Sequence, residues 1–220
     1  MRCNAEFFIV VLQFDVDFRV HFEESVGNFV ADFPKWVPGI IAAARLSRKV
    51  SLTQLLRNYD FEQHAASDEP TSRDCMYAVM ALLQLLPSNN TRHGAKASAA
   101  EVEKNLISFR PQQTSLGLFL SEKNEAIHQQ PFLLCIGSMD SPSSFYLILD
   151  AKALGLGDCG VLRAVDVLFK AHYVFWVGYA KPLSFFMEFV QKLVYKVECT
   201  KLSARIRELK SSIEAMSEIN

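Results

Sequence analysis

The chain has 220 residues, half of them apolar and about a fifth charged, which allows a substantial core and lies far from the composition of a disordered segment. Lys and Arg number 23 against 24 Asp and Glu, so a formal charge of −1 gives no global pull toward nucleic acid or an anionic membrane. No apolar run approaches the roughly 18 residues of a membrane span, and the chain reads as soluble and intracellular, in cytoplasm or nucleus.

Residues 1–17 open with Arg2 ahead of the apolar run Phe7 to Leu12, which Gln13 and Asp15 cut short. No small-residue cleavage site follows, so the segment is expected to be a strand or a disordered extension rather than a signal peptide. From His21 to about Leu106 the pattern is helical. Phe22, Val26, Phe29, Val30 and Phe33 recur at helical spacing, and Pro34 is expected to stop or kink that helix. Trp36, Ile40, Ile41 and Ala44 suggest a second helix from about Pro38, and Ser51 a cap for a short third one. Thr71 or Ser72, with Asp74 in the first turn, opens a helix whose core face is Ala78, Val79, Leu82, Leu83 and Leu86, and Pro87 closes it. Residues 88–97 form a polar loop, and Ser98 with Glu101 makes a capping box for a short helix.

Beyond Ser115 the pattern changes. Residues 116–120, 131–137 and 145–150 read as strands, the last two separated by turn-forming residues. Gly155, Gly157 and Gly160 lead into a helix carrying Val161, Leu162, Val165, Leu168 and Phe169. Pro182 starts another, with Phe186, Phe189, Val190, Leu193, Val194 and Val197 inward. The fold class predicted is α+β: a helical N-terminal part (18–107), a mixed part with a small, mainly antiparallel sheet (108–200) and an amphipathic tail helix (201–220).

Several groups of residues invite a chemical reading. Leu202, Ile206, Leu209, Ile213 and Met216 step by four and three, a two-heptad seam that must dock on its own domain, on a partner helix or on a second copy as a coiled coil. Gly155, Gly157 and Gly160 satisfy the G-x-G-x-x-G pattern of a dinucleotide turn, but a strand ending at Asp150 leaves several residues before the first glycine, and the context reads as a hairpin. Cys159, His172 and Asp166 are the members of a would-be nucleophilic triad, against the plainer view of Asp166 and Lys170 as a solvated i, i+4 pair beside a cationic helix-end histidine. Asp140, Asp150 and Glu188 are acids a metal-dependent nuclease would recruit, with nothing to fix their spacing. Basic residues gather at 45–49 and 92–96, three cations each, too few for a strong phosphate footprint. Five widely spaced cysteines include no CxxC and no Cys/His pair at zinc-ligand spacing, and Cys75 and Cys135 sit where core residues belong. No metal or cofactor is predicted.

The phrases HFEESVGNFVADFPKW, LLQLLPS, QPFLLCIGS and AVDVLFKAHYVF resemble a family of uncharacterised vertebrate, chiefly fish, proteins often labelled as sterile-alpha-motif-domain-containing. The resemblance runs from about Phe18 to Leu209. It implies no catalytic residues, and the sterile alpha motif itself is absent, so the partner binding of that module does not transfer. The expected function is a non-catalytic protein-interaction or scaffold module, with the 202–216 seam as its partner or self-association surface. The alternatives are a mobile-element-derived nucleic-acid-binding or metal-dependent nuclease-like protein, and a nucleotide-binding protein using Gly155 to Gly160.

Overall fold

The computed structural model describes residues 4–57, 59, 69–87, 99–123, 130–198 and 200–217. Among these residues nine α-helices and one four-stranded mixed sheet make an α+β protein whose N-terminal part is helical. The helices are α1 (Asn4–Arg19), α2 (Asn28–Leu46), α3 (Val50–Leu56), α4 (Ser72–Leu85), α5 (Ala99–Leu106), α6 (Leu116–Lys123), α7 (Val161–Val174), α8 (Ser184–Phe189) and α9 (Ala204–Ser217). The strands are β1 (Ile107–Arg110), β2 (Phe132–Gly137), β3 (Pro142–Leu149) and β4 (Lys152–Gly155). The chain divides into two compact units, and each is discontinuous. One joins the residues up to Gly27 to Lys104–Ala180, and the other joins Asn28–Glu103 to the residues from Lys181 on. This differs from consecutive boundaries after 17, 107 and 200, because each unit closes its core with a segment from far along the chain.

The first unit is built around the sheet, in the order β1-β2-β3-β4. β2, β3 and β4 are antiparallel neighbours and β1 runs parallel to β2. β2 is apolar along its whole length because both of its faces are covered. Phe132, Leu134 and Ile136 face Phe119 together with Ile148, while Leu116 and Leu120 of α6 pack against the same cluster. Residues 116–120 are therefore helical rather than a strand. Leu116, Phe119 and Leu120 turn inward at helical spacing and leave Leu118 outside, a choice that five apolar letters alone do not decide. β1 and β4 are four residues each, and neither stood out in the sequence.

α1 packs on α7. Val11, Phe14 and Phe18 bury one face of α1, and Phe18 meets Phe169 and Tyr173 at ring separations of 6.2 and 5.4 Å. The expected strand or disordered extension at 1–17 is thus a helix from Asn4. The polar letters that interrupted its apolar run have distinct fates. Gln13 donates to Asp17 on the exposed surface at 2.8 Å, whereas Asp15 is held by cations of α7.

In the second unit α2 runs unbroken through Pro34 and Pro38. Two prolines in a helix interior are costly, and the continuous inner face of Phe29, Phe33, Val37, Ile40, Ile41 and Ala44 outweighs them. Residues 23–25 form a separate 3-10 turn. α4 is buried from Asp74 to Leu83 and opens with the expected signal: Thr71 accepts from the Asp74 amide, and the Asp74 carboxylate accepts from the Thr71 amide. Its other end is capped by cations from elsewhere, Lys49 on the Gln84 carbonyl at 2.7 Å and Arg205 on that of Leu85 at 3.2 Å. α3 starts at Val50 with Lys49 as its cap residue, two residues earlier than a Ser51 cap requires. The 88–97 loop and Ser98 lie outside the described residues.

Candidate functional site

α9 carries the seam, and its placement is intramolecular. Ile206, Leu209 and Ile213 are buried, and α9 packs on α2 and α8. Gly39 of α2 makes the approach possible: a Cβ there would collide with Ile213 Cγ2. Leu202 and Met216, at the two ends, are half-buried. The helix entry is fixed by Glu188, which accepts from the Ser203 amide at 2.9 Å and from Lys192 at 3.1 Å. The apolar edge of α9 is therefore occupied by its own unit, and its free faces are polar. Of the three seats open to Leu202, Ile206, Leu209, Ile213 and Met216, the helix takes its own unit rather than standing free for a partner helix or a second copy.

The Asp166–Lys170 pair is not solvated. Lys170 has no solvent exposure and Asp166 has 1%, and both belong to a four-membered ion cluster between α1 and α7. Lys170 Nζ lies 2.8 Å from Asp166 Oδ2 and 2.5 Å from Asp15 Oδ1, and Arg163 bridges Asp15 and Asp166. Two cations and two carboxylates cancel, which is what lets charge stand in this interior. Burial alone would raise the Asp15 carboxyl, and the hydrogen bonds and charges of Arg163 and Lys170 more than reverse that, holding it below 3.8.

His172 is 4% exposed and is not a cationic helix end. Burial lowers its pKa, so the ring is neutral. Its Nδ1 lies 3.0 Å from the Val177 carbonyl, which can only accept, so Nδ1 carries the proton. Nε2 is buried and has no hydrogen-bond partner among the described residues. Tyr179 sits edge-on at 4.9 Å. Cys159 precedes α7, and burial pushes its thiol up to about 11, as it does for Cys75 and Cys135. None of the three is a poised thiolate. Asp166 is taken by Lys170 and Arg163, so the triad reading has neither an activated nucleophile nor a free orienting acid.

The glycine loop stands closer to a strand than its letters implied, since β4 ends on Gly155 itself. Gly157 adopts φ +67°, and Gly160 precedes the first turn of α7. The strand feeding it is the last of an antiparallel meander, not the first of a β-α-β unit. Asp140 and Asp150 lie in the turns at opposite ends of β3, eight residues long, so the strand keeps them from sharing one site. Glu188 is engaged in the second unit. Among the described residues no group of three His, Cys, Asp or Glu side chains stands close enough to hold a metal. Of the basic groups, Arg45 and Arg48 are exposed while Lys49 caps α4. Residues 92–96 lie outside the described residues.

The surface feature that sequence reasoning missed is on α1 and the turn after α7. Leu12, Val16 and Val20 recur every fourth residue on the side of α1 opposite Val11, Phe14 and Phe18, and all three are exposed, Val20 to 77%. Phe175 and Trp176 follow α7, and Trp176 is 87% exposed. Phe175 meets Phe14 edge-on at 5.8 Å, which places it on the α7 side of α1, away from Leu12, Val16 and Val20, and Trp176 meets His21 at 6.4 Å. The four-residue step of Leu12, Val16 and Val20 was visible in the letters, but means a stripe only once the segment is known to be a helix. Among the described residues no helix is long and apolar enough to cross a membrane. No family model matches the chain, and no curated protein or solved structure matches it.

Proposed function

We propose that this protein is a non-catalytic interaction module that docks a protein partner on the exposed apolar stripe Leu12, Val16 and Val20. The observation carrying this reading is a helix with apolar residues on both sides, of which α7 covers one. An exposed aliphatic stripe on a helix whose other side is already packed is the kind of apolar patch a partner covers. Among the described residues the buried ion cluster is self-neutralising and the thiols of Cys75, Cys135 and Cys159 are protonated, which fits the same reading.

The test compares the wild-type chain with Val16→Asp and Val20→Asp, using a photo-crosslinking residue at position 12 to capture contacts in cell extract. Specific adducts that are lost in both variants, with melting temperature unchanged, support the docking face. An adduct pattern identical in all three proteins would remove it. Sedimentation velocity separates a foreign partner from a second copy, because only self-association depends on the concentration of this chain.

A further inference from the structure

We infer that His172 is a proton-operated latch on the Trp176 turn: a proton taken from solvent at Nε2 expels the ring from its niche and loosens residues 175–178, which hold Trp176 out to solvent. The inference goes beyond the docking reading and does not rest on it.

Two hydrogen bonds clasp the turn to His172. The Val177 amide donates to the His172 carbonyl at 3.0 Å, and His172 Nδ1–H donates to the Val177 carbonyl at 3.0 Å. Between these anchors Trp176 holds a left-handed backbone at φ 52°, a conformation costly for a bulky residue unless its surroundings enforce it. The tryptophan is presented outward because its neighbour is tied inward.

The niche tolerates a neutral ring only. Tyr179 lies against it, and the Tyr179 hydroxyl donates to that of Tyr173 at 3.2 Å. These phenols are the titratable groups that face it. Among the described residues no charged side chain contributes to its titration, and the charges on its own helix are spent on Asp15 and on one another. A proton added at Nε2 therefore meets no carboxylate among them, and Nε2 has no hydrogen-bond partner there before the proton arrives. Burial sets the direction of its titration, with the Val177 and Gly178 backbone opposing, and places the event below pH 6.5. The carboxylates held in ion pairs titrate lower still: Asp15 and Asp32 below 3.8 and Glu188 below 4.5. The event belongs below pH 6.5, and the imidazole signal itself distinguishes it from the titration of these carboxylates.

The experiment is a pH titration of the full chain by nuclear magnetic resonance, without any partner, following the His172 imidazole, the Trp176 indole and the Val177 amide. The expected result is a common midpoint below pH 6.5, with loss of exchange protection at Val177. His172→Asn keeps a donor for the Val177 carbonyl but cannot be protonated, and should abolish the transition. His21→Gln should retain it, which excludes the other histidine beside Trp176. Flat Trp176 and Val177 signals while His172 titrates, or a transition that survives in His172→Asn, would overturn the latch. Should His172→Asn not fold, the wild-type midpoints decide alone. A failure here leaves crosslinking at position 12 untouched, and failed crosslinking leaves the latch untouched, so the two ideas fall separately.

Discussion

Lys170 Nζ lies 2.5 Å from Asp15 Oδ1, joining positions 155 residues apart through a lysine that solvent does not reach. The contact ties α1 to α7 and explains why a carboxylate can stand on the inner side of an otherwise aromatic helix pair. Lys170→Met should leave Asp15 and Asp166 sharing Arg163 alone, an uncompensated buried negative charge. Removing one partner of such a cluster costs about 3–5 kcal/mol. Urea unfolding should register that loss, and a midpoint unchanged from wild type would mean that the cluster adds nothing to stability.

Gly39 and Ile213 test the intramolecular seat of α9. Gly39→Ala places a methyl group into Ile213 Cγ2, and overpacking of this kind costs about 1–3 kcal/mol. Ile213→Ala alone should cost about 2–5 kcal/mol. The double variant is expected to lose less than the sum of the two, because the smaller side chain vacates the space the new methyl needs. Strict additivity in thermal unfolding would show that the two residues do not touch in solution.

The Tyr59 hydroxyl donates to Asp74 Oδ1 at 2.6 Å, and burial together with the Asp74 carboxylate raises its pKa well above 10. The two tyrosine rings, Tyr59 and Tyr77, stack at 4.3 Å with the Arg73 guanidinium over both. Tyr59→Phe keeps the stack and withdraws one donor from a buried carboxylate. A cost of about 1–3 kcal/mol is expected. Tyr59→Phe with wild-type stability would place the weight of this corner on ring packing instead.

Stability should fall with acid in two stages. The unfolded chain binds a proton at its histidine near 6.5 before folded His172 does, so the stability present above 6.5 declines as pH drops below it. The second stage comes from Asp15 and Glu188, whose folded values lie below 3.8 and 4.5. Their contribution is intact above those values and is lost as pH falls through the depressed ones. Denaturant midpoints measured across this range should lose the first stage in His172→Asn and part of the second in Asp15→Asn. A midpoint that is level from neutral pH down to 4.5 would contradict the first stage.

Substituting the exposed aromatic tests how the turn after α7 is presented. Trp176→Ala removes a side chain 87% open to solvent, so stability should change by no more than about 0.5 kcal/mol. A large drop in melting temperature would mean that the indole is packed in solution.

Local pattern alone determined the elements whose signals are complete within a few residues. α4 carries its capping box, a ten-residue buried stretch and a closing proline in one span, and β2, β3 and α7 are bounded by turns and glycines that leave one conformation open. Tertiary structure decided the rest. Pro34 and Pro38 speak against a continuous helix until Phe29, Phe33, Val37 and Ile40 find an interior, and residues 116–120 are strand or helix according to which surface awaits them. The candidate site depended on tertiary structure most of all. Asp166 and Lys170 look like surface decoration in the letters because the groups that neutralise them inside, Asp15 above all, lie far away in the chain, and burial of charge is a property of the partner brought near and not of the residue itself. The tail seam has the same lesson with the opposite sign: its spacing announced that it must dock, and only the glycine at position 39 decided on what.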